Sequence, residues 1–253
     1  MEQAKNLLKV SLDAGRDLLC PAQKERVSEA AAPAVAGDGP ASRPLLPIVP
    51  IRSIGPDERE SIARHLLSLD ADDRYLRFGY GASDEQIRLY VNGLDFRRDE
   101  IFGITNRKLE LIAMAHLAFG IDPRCASRAE FGVSVQAHAR GRGYGTRLFD
   151  RAIIHARNQG VSTIFIHALS ENTAMLTIAR KAGAVVERDG SESEAWLTLP
   201  AATLDSQVSE LVDHRIAEAD FTVKSGAKRV HDLIDGLPRV RRSVSNAGAG
   251  SGR

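Results

Sequence analysis

Between residues 139 and 149 the chain reads ARGRGYGTRLF, with three glycines and three arginines in eleven positions. Glycines so close together either make a tight turn or let successive N–H groups converge on a phosphate. A Walker loop needs a Lys-Ser or Lys-Thr pair after its second glycine, but Gly145 is followed by Thr146 and Arg147. A dinucleotide fingerprint needs G-x-G-x-x-G directly after a strand. Here Gly141, Gly143 and Gly145 are spaced G-x-G-x-G, and QAHAR separates them from the strand before. Neither familiar loop is present. The run instead opens a helix, and the free N–H groups of that helix, with Arg140 and Arg142 beside them, suit a pyrophosphate.

Other reactive side chains are scattered. His138 sits beside the loop, where a solvated histidine is the plainest reading, and His167 lies in an apolar strand as a half-buried residue. Cys125, in DPRCAS, has no evident base that would make it a nucleophile. With only Cys20 beside it, the chain has neither a disulfide framework nor a zinc-ligand spacing, and no metal is expected.

These residues need elements to hold them. IVPIRSI reads as a strand, and Pro56 opens a helix through DERESIARHLLSL. DADDRYLRFGYG follows, and Asp84 then caps a second helix, DEQIRLYVNGL. IFGIT and ELIAMAHLAF form a hairpin across NRK, and EFGVSV is an alternating strand leading to the glycine run. The next helix carries Leu148, Phe149, Ala152, Ile153 and Ala156 on one face and stops at Gly160. STIFIHA is a buried strand, Asn172 starts a helix ending near Gly183, and AVVERDGSESEAWLTL closes as a hairpin over Asp189 and Gly190. The order predicts a mixed α/β domain over residues 45–200.

The flanks read differently. Residues 1–44 comprise an amphipathic segment, with Leu7, Leu8, Leu12, Leu18 and Leu19 near a helical period, and a linker, AAAPAVAGDGPASRP. Residues 201–253 contain a plausible amphipathic helix, LDSQVSELVDHRIAEA, then a basic tail read as flexible and solvated, ending in the disordered-looking SNAGAGSGR. The tail lacks the aromatic interleaving of single-strand readers. A net charge of +1 gives no global pull toward nucleic acid or membrane, and no apolar run approaches a bilayer span. The N-terminus has no apolar signal core, so a soluble protein of the cytoplasm is expected.

Arg140-Gly141-Arg142-Gly143-Tyr144-Gly145, placed after a strand and opening a helix, matches R/Q-x-x-G-x-G. On that motif, on the strand order and on Asn172, residues 47–199 resemble the GNAT superfamily of acyl-CoA-dependent N-acetyltransferases. The resemblance implies a mostly antiparallel sheet flanked by helices, with acetyl-CoA as co-substrate. It implies that the strand before the loop splays from its neighbour and offers backbone at Val133 and Val135 to the pantetheine arm, a form of strand addition. The pyrophosphate would meet Arg140, Gly141, Arg142, Gly143, Tyr144, Gly145 and Thr146, and Asn172 would reach the arm besides capping its helix. Glu130 would be the general base, because an amine near pKa 10.4 must lose a proton before attack. Burial is expected to raise the pKa of Glu130. Val133 N–H would face the oxyanion. The tyrosine that many members place in the helix after the asparagine is absent, Ala179 standing there.

LDADDRYLRFGYG and Ala129-Glu130-Phe131 further resemble the GNAT domain of bacterial Pat-type protein lysine acetyltransferases. This favours a protein lysine as acceptor. A small-molecule amine is the alternative within enzymes, and a non-catalytic acyl-CoA sensor the alternative outside them.

Overall fold

The computed structural model describes residues 49–236, with side chains through residue 228. The N-terminal amphipathic segment, its linker and the terminal SNAGAGSGR lie outside the described residues.

Strand β1 (Arg52–Ser53) is much shorter than IVPIRSI. A 3-10 turn at Pro56–Glu58 leads into α1 (Arg59–Leu67), followed by α2 (Ala71–Phe78) and α3 (Asp84–Asn92). Three helices therefore stand where two were expected. Asp70 starts the extra one by accepting a hydrogen bond from the Asp73 N–H at 2.8 Å, and Gly79 stops it in the left-handed region at φ 79°. No residue of α2 is fully buried, and with only eight residues, half of them charged, it does not stand out as an apolar segment in the sequence. The cap of α3 is Ser83 rather than Asp84: its hydroxyl accepts from the Gln86 N–H, and the Gln86 side chain accepts from the Ser83 N–H, a capping box.

The sheet contains β2 (Glu100–Thr105), β3 (Leu111–Phe119), β4 (Arg128–Val135), β5 (Thr163–Leu169), β6 (Val185–Asp189) and β7 (Glu192–Thr198). Its order is β1-β2-β3-β4-β5-β7-β6, and only the β4–β5 pair is parallel. Helices α4 (Tyr144–Asn158) and α5 (Thr173–Lys181) cover one face. Phe131, Phe149, Leu148 and Ile164 pack in that layer. Helices α1 and α3 cover the other, with Ile62, Leu66 and Ile87 against Ile101 and Met114. Covered on both sides, β3 is buried at nearly every position.

One irregularity matters for function. β4 and β5 pair only at Arg128↔Thr163, Ala129↔Ile164 and Glu130↔Phe165. Beyond Glu130, β4 stays paired to β3 from Phe131↔Leu117 to Ala113↔Val135, while its β5 side is left open.

The C-terminal helix α6 (Leu204–Gly236) is longer than its sequence pattern suggested, and the part of the basic tail up to residue 236 is helical. Polar contacts dock it on α4. Glu210 reaches Nδ1 of His155 at 2.6 Å, Nδ2 of Asn158 at 2.5 Å and NH1 of Arg151 at 3.2 Å. Burial pushes the Glu210 carboxyl up, but the bonds from His155 and Asn158 and the nearby charges outweigh it and hold its pKa at about 2. Farther along, the Arg52 guanidinium stacks on the Phe221 ring, 3.8 Å from its centroid.

Candidate active site

Where β4 and β5 part, a cleft of about 1530 Å³ opens between α2, the glycine run and the β6–β7 hairpin. Gly141 and Gly143 both take φ 74°, a conformation that disfavours any side chain, and Gly143 is the N-cap of α4. No atom lies within 4 Å of where a Cβ would stand at either, so backbone there is open to a ligand. Gly145 has a different reason: a Cβ would lie 2.9 Å from Ile178 Cδ1, so the residue lets α4 approach α5. The first turn of α4 thus turns its unsatisfied N–H groups toward the cleft mouth.

The expected site residues converge here. Glu130, Val133, Val135, Arg140, Gly141, Gly143, Tyr144, Gly145, Thr146 and Asn172 all line this one cleft. Arg142 is exposed beside the loop and does not line it. Arg140 is engaged already: it ion-pairs with Asp73 of α2, and its Nε donates to the Val135 carbonyl at 3.3 Å. Tyr144 is half-buried and packs on the core as well as facing the cleft. Asn172 caps α5 by accepting from the Met175 N–H at 3.1 Å, and its amide donates to the Leu76 carbonyl at 3.3 Å, tying α5 to α2.

Glu130 stands at the last β4–β5 pair, and its electrostatics correct the sequence expectation. Burial pushes its carboxyl upward, and this is the largest single effect. The hydrogen bond from His167, together with the charges of His167, Arg77 and His116, outweighs it, so the pKa lies below the ordinary value. Nδ1 of His167 is 3.3 Å from Glu130 Oε1, and its Nε2 is 3.6 Å from Oε1 of the more exposed Glu194. For His167 burial acts downward, yet the Glu130 bond and the surrounding carboxylates raise its pKa. His167 is thus a bridge between two carboxylates rather than a plain half-buried strand residue.

A second polar line enters from α3 and β3. Tyr90 Oη is 2.8 Å from His116 Nδ1, and His116 Nε2 is 3.3 Å from Asp99 Oδ2. Burial pushes the Asp99 carboxyl up but is outweighed by bonds from His116 and Arg98, leaving its pKa at about 2. In the neutral ring, the Asp99 carboxylate takes the Nε2–H bond, so Nδ1 accepts from the Tyr90 hydroxyl. Arg77 donates to the same hydroxyl at 3.1 Å. The Arg77 guanidinium lies against Gly132, less than 3 Å from where a Cβ would stand. Burial raises the Tyr90 pKa, Arg77 opposes, and the Glu130 charge adds to the rise.

Sequence reasoning passed over Tyr90, His116, Asp99 and Arg77 as site residues. The available signal was register: His116 faces Gly132 and Ala118 faces Glu130, so Glu130 shares a sheet face with a histidine. Three other residues do not contribute. His138 is exposed outside the cleft, Cys125 is buried outside it, and Ala179 is fully packed in the core. Among the described residues, no helix is long and apolar enough to cross a membrane.

Comparison with known proteins agrees with this architecture. The GNAT domain of S. lividans PAT superposes with a TM-score of 0.51 at 21% identity, covering 59% of this chain and 89% of that one. A protein of Acinetobacter baylyi ADP1 assigned to the acetyltransferases superposes at 0.52 with 17% identity, covering 61% and 95%. At these identities the likeness speaks for the fold. The family model for the acetyltransferase (GNAT) domain matches residues 51–185, more than half of the chain. The chain therefore belongs to the GNAT acetyltransferases, enzymes that transfer an acyl group taken from acetyl-CoA.

Proposed function

We propose that this enzyme acetylates a primary amine, a protein lysine rather than a small molecule, by direct attack, with Glu130 as the general base. One observation carries the reading: strand pairing ends at a half-buried carboxylate, and a glycine-rich helix entry opens onto the same cleft. The fold likeness to a Pat-type GNAT domain and the stretch DADDRYLRF support lysine as acceptor.

Acetyl-CoA supplies an acetyl group activated as a thioester. The open edge of β4 at Val133 and Val135 holds the pantetheine arm, with Asn172 alongside. The amides of residues 141–146 hold the pyrophosphate, Arg142 adds charge from outside, and Arg140 joins once it leaves Asp73. Glu130, kept ionised by His167 and Arg77, takes the ammonium proton as the amine bonds to the acyl carbon. His167, donating through Nδ1, holds the Glu130 carboxylate in place, and the proton leaves Glu130 to solvent through the open cleft. The Val133 N–H meets the oxyanion until the C–S bond breaks. Tyr90, which lines the cleft with Arg77 donating to its hydroxyl, gives its proton to the departing thiolate and regains one from solvent as CoA leaves. A Tyr90→Phe protein with unchanged turnover removes it from that role.

We further assign catalysis to residues 45–200. The deciding experiment is acetyl-CoA turnover against panels of proteins and small amines. Acetyl-lysine formation supports the reading, and exclusive use of small amines overturns the acceptor. The buried Ala179, standing where the family has a tyrosine, favours a sensor instead if CoA binds tightly and no acceptor is acetylated.

A further inference from the structure

Helix α6 has two different faces. Ser206, Glu210, Ala217 and Phe221 turn inward, toward α4 and β1. On the other side Leu204, Val208, Leu211, Val212, Ile216 and Val223 stand exposed, Leu204 at 82% and Val223 at 72%. At about 100° per residue these six fall within an arc of roughly 140°, opposite the docked face. The stripe is about 28 Å long at 1.5 Å per residue. Water-exposed apolar side chains in one continuous row on a helix that is already docked mark a surface with an occupant.

We infer that the occupant is residues 7–19 of the same chain. The described chain begins beside α6: Val49 and Ile51 pack on the core, and Arg52 stacks on Phe221 of its docked face, half-way round the helix from the stripe. The 48 residues before Val49 therefore leave from beside this helix. Residues 20–48 reach up to roughly 3.3 Å each when extended, so the tether spans the stripe with slack. Tethering gives the segment an effective concentration on the order of millimolar, so a modest apolar contact suffices to close it. The chemistry also matches. Leu8, Leu12 and Leu19 share one helical face, and Lys5, Lys9 and Arg16 fall along one flank of it. Along one flank of the α6 stripe lie Asp213, which is exposed, and Asp220, which pairs with Lys224 of the same helix at 2.6 Å.

Carbodiimide cross-linking of the full chain, followed by peptide mass spectrometry, tests the assignment. The inference predicts a monomer carrying an intrachain link from Lys5 or Lys9 to Asp213 or Asp220. A Leu8→Ser, Leu12→Ser, Leu19→Ser triple variant loses that link, and its amide exchange over residues 204–223 quickens about tenfold. These substitutions lie outside the catalytic fold, so an unchanged thermal shift with CoA serves as the folding control. Absence of the link together with equal exchange in both proteins overturns the inference. So does a dimer by light scattering whose links, in a mixture of light and heavy isotope chains, run between copies: a second molecule then covers the stripe.

Discussion

Nδ1 of His167 lies 3.3 Å from the Glu130 carboxylate, and the other ring nitrogen lies 3.6 Å from Glu194. The contact pulls the Glu130 pKa down and the His167 pKa up, against burial in both cases. Replacing His167 by Gln removes the cation and weakens the bond, so the Glu130 pKa rises. The acid limb of kcat/KM, which reports the free enzyme, should move to higher pH. A purely structural role for His167 predicts lower turnover with the limb in place.

The glycine run makes a separate prediction. CoA at millimolar concentration should raise Tm by mass action. Gly143→Asp puts a carboxylate where backbone amides converge, at φ 74°, and should abolish that shift. Gly143→Ala pays only the conformational strain and should retain part of it. An intact CoA shift in the Asp variant contradicts a pyrophosphate at this loop.

Buried His65 gives the fold a pH signature. Its Nδ1 lies 2.9 Å from the Leu111 carbonyl and its Nε2 2.9 Å from Ser134 Oγ, so the neutral ring donates to the carbonyl and accepts from the hydroxyl. Burial is the main cause that lowers its pKa from 6.5 to about 4. Between those values the unfolded chain binds a proton that the folded one refuses, so stability falls as pH drops across that window. Glu210 and Asp99, both held at about 2, act in a lower window, below their ordinary 4.5 and 3.8. Urea midpoints measured from pH 7 to pH 4 should decline in the wild type. In His65→Gln the decline over this range should be much shallower, whatever the absolute stability. Parallel curves contradict the assignment.

Much of this was legible in residues. The hairpins, the glycine run and the capping Asn172 all follow from local pattern, because each carries its own turn or cap chemistry. Helix α2 was not legible, because it is only eight residues long, half of them charged, and its signals are a single Asp cap and a single Gly stop. The pKa of Glu130 was not legible for a different reason. Burial could be anticipated from its strand, but the opposing charges come from Arg77, His116 and His167, up to 53 positions away in sequence and brought together only by register and by α2 packing.

The domain division predicts that a chain starting at Arg43 folds and shows the same CoA-dependent Tm shift as the full chain. The described core supports this, since the seven-stranded sheet and both apolar layers on it are formed among residues 49–236. A shortened chain that has lost its secondary structure by circular dichroism, or a soluble one that no longer binds CoA, places residues 1–42 in the catalytic fold.

The central claim is that Glu130 takes the proton from the attacking amine. Its most direct test is steady-state acetyl transfer by Glu130→Gln, with CoA affinity measured on the same preparation. The variant keeps shape and hydrogen bonding but lacks the base, so turnover near neutral pH should fall by roughly 10² to 10⁴-fold. CoA affinity should change little, because the proposed contacts lie from Val133 to Thr146 and at Asn172, and activity should recover at high pH, where the amine is already free. Turnover equal to wild type near neutral pH contradicts the account.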